Sequence, residues 1–344
     1  MCRFFYIIII YMNILQNKKL MGDKKLVFKK SPQNPKNYKV TLAPHAKAAN
    51  VVDNSAFCTP ILDQGIWGSC TAFASIGAME FLMKKTNTRS VKLSEKFAYY
   101  VARVNIEGMA VPPADEGAYL SDALKGLVKY GSCLSNTCPY VKCNDAPSIA
   151  AYAQAPSYQV VTYAQIDDMA TRNALDVIKT TLSAGYPVIA GFTCYSSLYN
   201  AVKGVIPEPK LNEQVIGGHA VLIVGYNDIT KQFKFKNSWG SSWGANGYGF
   251  LPYSYYLKGD LTDIWTIYNG LVGPTTYGII ITSPQIVKNK MSDIFEQVML
   301  NYSQLSSLSS LVLLINKLLA KYKDDAKLVA FIKSLQSGLI NFNS

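Results

Sequence analysis

The chain has 344 residues, of which 49% are hydrophobic and 16% charged, and it includes 23 Tyr and 14 Phe. This composition excludes collagen-like, coiled-coil and wholly disordered chains, and it supplies enough apolar surface for a core. The net charge of +12 lies at the ends: ten Lys or Arg and one Asp in 1–50, seven basic and four acidic residues in 288–344, and seventeen of each sign between. The neutral central part therefore argues against a body that binds the phosphate backbone of nucleic acids.

The chain begins with an apolar run at residues 4–15, which only Arg3 precedes and six lysines follow between residues 18 and 30. A run of twelve residues is short for a membrane span, although its length fits the core of a signal peptide. The lysines after the run and the lack of an obvious small-residue cleavage site argue against secretion. We therefore favour an intracellular leader, with Met21 as a possible second start, over a signal peptide or an anchor that contacts the membrane through residues 4–15.

Three prolines mark residues 31–50 as an extended linker, and we place the border between a basic leader (1–38) and the body (39–287) there. In the body, periodicity predicts helices before strands, which favours an α+β fold over an alternating parallel sheet. The predicted helices are 82–100, 121–130 and 170–184, and the predicted strands are 220–226 and 233–236.

The last segment, residues 288–344, has a different pattern, with apolar residues at amphipathic helical spacing from Ile294 to Leu335. We expect a helical C-terminal extension that packs on the body or on a partner and has no catalytic role.

Histidine is scarce, which narrows the choice of a base. Only His45 and His219 occur, and His45 lies in the basic N-terminal region, so that His219 is the candidate for any chemistry that needs an imidazole. The seven cysteines cannot all pair within the chain. Cys133, Cys138 and Cys143 could form a disulfide or bind a metal, but their spacing matches no zinc pattern, and unpaired loop thiols are the favoured interpretation.

Cys70 follows a glycine-rich approach, residues 64–69, and precedes apolar residues at helical spacing up to Lys84. A cysteine in the first turn of a helix is favoured as the thiolate, because backbone N–H groups and the helix dipole stabilise the anion there. Cys70 is therefore a candidate nucleophile, and the ordinary alternative is a small buried apolar residue.

Three blocks occur in order along the chain. They are Gln64-Gly-Ile-Trp-Gly-Ser-Cys70-Thr-Ala-Phe-Ala74, Gly217-Gly-His219-Ala-Val221 with Val224-Gly-Tyr226, and Lys236-Asn237-Ser-Trp239-Gly-Ser-Ser-Trp243-Gly244. His219 lies 149 residues after Cys70, and Asn237 lies eighteen further on. This set resembles the papain-like cysteine peptidases (family C1), in which Cys, His and Asn follow one another in this order. The resemblance covers roughly residues 45–270.

The resemblance implies a two-lobed α+β papain-like fold, with a helical left lobe starting at Cys70 and a β-rich right lobe. It implies peptide-bond hydrolysis by Cys70, His219 and Asn237, with Gln64 in the oxyanion hole and no metal or cofactor. Trp239 and Trp243 are expected to shield the His–Asn bond from water. The substrate is expected to be an extended polypeptide that lies along Gly117, Ala118 and Gly218.

The departures from the family pattern point to its bacterial, archaeal and viral branch. Trp67 stands where many relatives have a disulfide cysteine, Thr71 where they have Trp, and Ala118 where they have a second cleft glycine. Only 69 residues precede Cys70, which is too few for a long helical inhibitory propeptide. The leader or the C-terminal helices could cover the cleft instead.

Two other functions stay open from the sequence. One is a catalytically silent papain-like module that binds proteins or has a structural role, against which the intact set of Cys70, His219, Asn237 and Gln64 argues. The other is a cysteine-dependent acyl transferase or transamidase, which would use the same Cys–His chemistry with an amine as acceptor.

Overall fold

The computed structural model describes residues 21–42, 48–87, 90–160, 162–166, 174–268 and 279–282, with six isolated positions outside these ranges. His45, most of the apolar run at 4–15 and almost all of the predicted C-terminal extension, 288–344, lie outside the described residues. Within the described ranges, no helix has both the length and the apolar composition of a bilayer span. The domain borders at 38/39 and 287/288 stay predictions.

The helices of the described part lie mostly in the first half of the body. They are α1 (Cys70–Asn87), α2 (Glu95–Tyr100), α3 (Leu120–Lys129), α4 (Ile149–Gln154), α5 (Ala174–Ser183) and α6 (Tyr253–Leu257). The single helix predicted for 82–100 is wrong, because α1 ends at Asn87 and a new helix starts after Ser94. Ser94 is extended and its side chain accepts a hydrogen bond from the Phe97 N–H, which is how a serine caps the start of a helix.

The strands form one sheet across the described residues. They are β1 (Lys39–Leu42), β2 (Val51–Asp53), β3 (Thr162–Ile166), β4 (Val188–Tyr195), β5 (Val215–Asn227), β6 (Gln232–Lys236), β7 (Tyr248–Pro252), β8 (Leu261–Tyr268) and β9 (Ile279–Thr282). Their order is β7-β6-β5-β4-β8-β3-β1-β9, and β2 pairs with the C-terminal end of β5. The strands predicted at 220–226 and 233–236 are present within β5 and β6.

Strand β5 separates two apolar cores because its side chains alternate between the two faces. Ala220, Leu222 and Val224 pack with α1 in the helical core, whereas Val221 and Ile223 pack in the core of the β-rich part. Helix α1 is buried on almost all sides as far as Leu82, as expected for a helix whose apolar residues do not form a single stripe, and its last turn is exposed. The two cores give the predicted two lobes, and β5 lies where they meet.

Candidate active site

Cys70 is the first residue of α1 and is fully buried. Its thiol lies against the second lobe, where it accepts a hydrogen bond from the backbone N–H of Ala220, and the N–H groups of Thr71 and Cys70 also contribute. Burial raises the pKa of the thiol to about 11, and the charge of Asp115 acts in the same direction, while the three N–H groups oppose both. In this structure, therefore, Cys70 is a protonated thiol.

His219 lies on β5, one residue before Ala220, and its Nε2 is 2.8 Å from Oδ1 of Asn237. The amide of Asn237 is oriented by the backbone N–H of Ser238, which donates to the same Oδ1 over 2.9 Å. Because that oxygen can only accept, Nε2 must carry the imidazole proton and Nδ1 must present a lone pair. Nδ1 is buried and has no hydrogen-bond partner among the described residues.

Aromatic rings enclose this histidine. Trp239 stacks on His219 with ring centroids 4.4 Å apart, and Phe192 meets the imidazole edge-on at 5.9 Å. Trp243 packs edge-on against Trp239 at 5.1 Å and so supports the stacked ring, and its predicted role in shielding the His219–Asn237 bond stays a prediction. Burial lowers the pKa of His219 to about 4, the bond to Asn237 opposes this, and the charge of Lys24 adds to the lowering.

Gln64 is fully buried between the two lobes. Its Nε2 donates to the carbonyl of Trp67 over 2.8 Å, and its Oε1 accepts from the hydroxyl of Ser238 over 2.6 Å. The backbone N–H of Gln64 also donates to the carbonyl of Ser238. These bonds fix the amide beside the start of α1 and leave the second N–H of Nε2 for another acceptor.

The N-terminal leader runs through the cleft between the lobes. Val27 pairs in parallel with Gly218, since the N–H of Phe28 donates to the Gly218 carbonyl over 3.2 Å and the N–H of Gly218 donates to the Leu26 carbonyl over 3.0 Å. Further along, Lys29 pairs with Tyr119 on the opposite wall. Residues 24–31, which we call the cleft segment, thus bind as an extended strand beside Cys70 and His219.

Glycines in both walls allow this close approach. Gly117 has φ +80°, and a Cβ there would overlap the carbonyl oxygen of Val27. A Cβ on Gly191 would overlap the ring of Phe28. Ala118, in contrast, is fully buried in the core of the helical lobe, and its predicted role in binding substrate stays a prediction.

Charge complementarity also holds the cleft segment. Lys24 pairs with Asp63, Lys25 pairs with Asp115 at 2.6 Å, and Lys29 pairs with Glu107 at 3.1 Å. Part of the excess positive charge of the leader is therefore neutralised by acidic residues around the cleft. The hypothesis that the leader covers the cleft agrees with these contacts, although the sequence did not indicate which of its residues would do so.

A family model described as papain family cysteine protease matches residues 46–255 of the chain. The chain belongs to the papain family of cysteine proteases. Its helical and β-rich lobes are those of the papain-like fold, so the predicted fold class is confirmed. Membership also makes it a cysteine-type peptidase that acts on polypeptides.

Relatives agree with this assignment. An uncharacterized peptidase C1-like protein of Acanthamoeba polyphaga mimivirus is 38% identical over 216 residues, which cover 60% of this chain and 68% of the viral one. A senescence-specific cysteine protease of rice (Oryza sativa subsp. indica) is 27% identical over 194 residues, so the chain spans about half (53%) of that relative. Xylellain, a cysteine protease from Xylella fastidiosa, has a TM-score of 0.65 at 28% identity, covering 72% of this chain and 97% of that one.

Two features of this papain-family site were not predicted. The first is the set of bonds that fasten the loop before Cys70: the hydroxyls of Ser69 and Tyr140 lie 2.5 Å apart, and Tyr140 donates to the carbonyl of Gln64 over 2.9 Å. The second is the path of the cleft segment, for which the available signal was the apolar run of Leu26, Val27 and Phe28 with a pair of lysines on each side.

The cysteine cluster does not take part in this site. Cys133, Cys138 and Cys143 are unpaired and lie in loops, as predicted, and all three side chains are buried. In the part of the chain that the structure describes, no group of His, Cys, Asp or Glu is arranged to hold a metal ion.

Proposed function

We propose that the chain hydrolyses peptide bonds with Cys70 as nucleophile, His219 as general base and acid, and Asn237 as the residue that orients the imidazole. One observation carries the proposal. The Nε2–H of His219 is bound to Asn237, and the Nδ1 lone pair has no partner among the described residues, while the thiol of Cys70 bonds to the next residue, Ala220. These contacts support a site in which the basic nitrogen of His219 acts on the thiol of Cys70 where the two lobes meet.

The reaction begins with transfer of the Cys70 proton to Nδ1 of His219 and attack of the sulfur on the scissile carbonyl. The C–N bond then breaks, the amine leaves with the proton from His219, and an acyl-thioester remains on Cys70. Water attacks the thioester, its proton goes to Nδ1, and the acid product and the thiol are released. For the first step the sulfur must leave the Ala220 N–H and approach Nδ1.

Gln64 and the backbone N–H of Cys70 are the proposed donors to the oxyanion. The amide of Gln64 is already held by Trp67 and Ser238, so it needs little reorganisation when negative charge develops. Removal of such a donor costs about 3 kcal/mol of transition-state stabilisation in comparable sites.

The cleft segment keeps this site in a resting state. While it is bound, Cys70 and His219 are both buried and neutral, because the pKa of the thiol is about 11 and that of the imidazole about 4. Lys24 contributes by disfavouring the imidazolium ion. A substrate must therefore displace the segment before the thiolate–imidazolium pair can form.

The test is a digest of a peptide library with wild type and with Cys70→Ala, analysed by mass spectrometry. We expect cleavage by wild type and none by Cys70→Ala, while the control Cys58→Ala, at a cysteine outside the site, keeps its activity. Iodoacetamide should modify Cys70 selectively in a variant whose cleft segment is loosened by Lys25→Ala and Phe28→Ala. Cleavage by the Cys70→Ala variant would refute the proposal. So would the absence of cleavage both by wild type and by a variant with a loosened cleft segment. Dominant acyl transfer to the amine in an amine-rich buffer would instead favour the acyl transferase.

A further inference from the structure

Asp115 is a carboxylate that the fold holds in place at the edge of the cleft. Its Oδ1 accepts from the backbone N–H of Gly68 over 3.0 Å and from the hydroxyl of Tyr99 over 2.7 Å. Gly68 belongs to the loop that leads to Cys70, so this carboxylate is tied directly to the nucleophile segment. The first oxygen is therefore satisfied by the body of the protein alone.

The second oxygen is satisfied by the leader. Oδ2 of Asp115 lies 2.6 Å from Nζ of Lys25, which also approaches the Asp115 carbonyl at 3.5 Å. The side chain of Asp115 is only 9% exposed, whereas that of Lys25 is 47% exposed, so the cation reaches the buried carboxylate from the solvent side. A buried carboxylate that loses its cation is strongly unfavourable. When the cleft segment leaves, Oδ2 of Asp115 loses this cation and can accept another positive group from the same direction.

The other two ion pairs of the cleft segment differ in burial. Asp63, the partner of Lys24, has a side chain that is 51% exposed, so water can solvate it when Lys24 departs. Glu107, the partner of Lys29, is 19% exposed, and its Oε2 has no hydrogen-bond partner within the described ranges. Asp115 is thus the most enclosed of these acidic groups, and its Oδ1 is bonded to Gly68 of the loop before Cys70.

We propose that Asp115 forms a subsite for a basic side chain, lysine or arginine, of the polypeptide that replaces the cleft segment. The inference rests on the proposed function and names a feature of its substrate. The chain's own cleft segment shows the pattern, because Lys25 binds Asp115 while Phe28, three residues on, lies over Gly191 in the opposite wall. Substrates with a basic residue close to an aromatic one are therefore preferred.

The experiment measures binding of a labelled synthetic peptide with the sequence of residues 23–32, DKKLVFKKSP, by fluorescence anisotropy. The protein is the full chain with Cys70→Ala, which prevents cleavage, and with Lys25→Ala and Phe28→Ala, which loosen its own cleft segment. We expect norleucine in place of the lysine that matches Lys25 to raise the dissociation constant about tenfold, since a charge-assisted bond to a buried carboxylate is lost. Arginine at that position should stay within about threefold of lysine.

Two controls separate this subsite from general attraction to acidic residues. Norleucine in place of the lysine that matches Lys24 should change the dissociation constant by about threefold or less, because the exposed Asp63 contributes little. In the protein, Asp115→Asn keeps an oxygen for Gly68 and Tyr99 but removes the charge. The lysine and norleucine peptides should then bind equally, and an unchanged affinity for the norleucine peptide shows that the variant is folded.

The proposal is overturned if the lysine and norleucine peptides bind equally to the protein with Asp115, if their difference persists in Asp115→Asn, or if the parent peptide does not bind. This assay does not depend on turnover. A protein that binds the peptide as expected but cleaves no polypeptide refutes the proposed function and leaves the subsite standing, whereas cleavage without this selectivity refutes the subsite alone.

Discussion

The two walls of the cleft are built in different ways. On the side of His219, the imidazole is enclosed by rings, with Trp239 stacked at 4.4 Å, and the indole nitrogen of Trp239 has no hydrogen-bond partner among the described residues. On the side of Cys70, the loop before the helix is held by hydrogen bonds that Ser69, Tyr140 and Asp115 make to neighbouring groups.

Ring packing on one wall and hydrogen bonding on the other have different effects on the site. Packing orients His219, the proposed base, and keeps water from its bond to Asn237, which requires apolar contact over a large area. Hydrogen bonds position the nucleophile loop while leaving polar groups at the cleft surface, where Asp115 meets the leader. Substitutions in the first wall should therefore affect the stability of the protein most, and those near the second should affect occupancy of the cleft.

The largest effect is expected for Trp239→Ala. Removal of a fully buried tryptophan should lower the free energy of unfolding by about 4 kcal/mol, because the favourable transfer of the ring out of water is lost and a cavity is left in the core. Peptidase activity should fall as well, since the imidazole loses its stacking partner. Chemical denaturation monitored by circular dichroism, with turnover measured on the same samples, provides the check.

The matched substitution on the opposite wall is Ser69→Ala. It removes the bond to the Tyr140 hydroxyl from a residue that is also fully buried, and it should cost about 1 kcal/mol. If Ser69→Ala destabilises the protein as much as Trp239→Ala, the two walls do not differ in the way described.

A second effect concerns the dependence of stability on pH. The pKa of His219 is about 4 in the folded protein and 6.5 in its ordinary state, because burial disfavours the charged form. Between these two pH values the unfolded state binds more protons than the folded state, so stability contributed by His219 is lost as the pH falls. A pKa difference of this size corresponds to about 3 kcal/mol between pH 7 and pH 4.

The matched variant for this measurement is His219→Gln, which cannot gain a proton. The free energy of unfolding of wild type, relative to that of His219→Gln, should decrease by about 3 kcal/mol on going from pH 7 to pH 4. Glu95, whose pKa burial raises to about 7, titrates in the same range with the opposite sign, but it does so in both proteins. A difference that does not change with pH would show that the imidazole is not enclosed as the structure shows.

The two-lobed fold and the candidate residues were predicted from the resemblance of the three blocks to the papain-like peptidases, which is visible in the sequence because each block is a local pattern. Gln64 and Asn237 are likewise recognisable from the residues beside them. The helix break before Ser94 was missed because apolar spacing on both sides is compatible with one continuous helix, and only the cap at Ser94 reveals the second start.

The role of the leader could not be predicted from the sequence in the same detail. Its pairing depends on contacts between residues about 80 to 230 positions apart, such as Lys29 with Glu107 and Ser31 with Asp263. The leader has an excess of lysines, but the body as a whole is neutral, so composition did not show where acidic partners would lie. Asp115 is one of seventeen acidic residues in 51–287, and only the fold places it beside the loop of Cys70.

The Phe28→Ala variant tests how the cleft segment contacts both walls. The ring lies over Gly191 of the β-rich wall and packs against the helical core, while the backbone of Phe28 bonds to Gly218. Loss of a half-buried phenylalanine should weaken binding of the segment by about 1.5 kcal/mol, which corresponds to an open fraction about ten times larger. Turnover of a peptide substrate at low concentration should rise about tenfold, whereas Lys36→Ala, on the exposed part of the leader beyond the cleft, should leave it unchanged. An equal rate for Phe28→Ala and wild type would mean that the segment does not limit access to Cys70. If the segment competes with substrate for the cleft, weakening its main apolar contact must raise the rate of turnover.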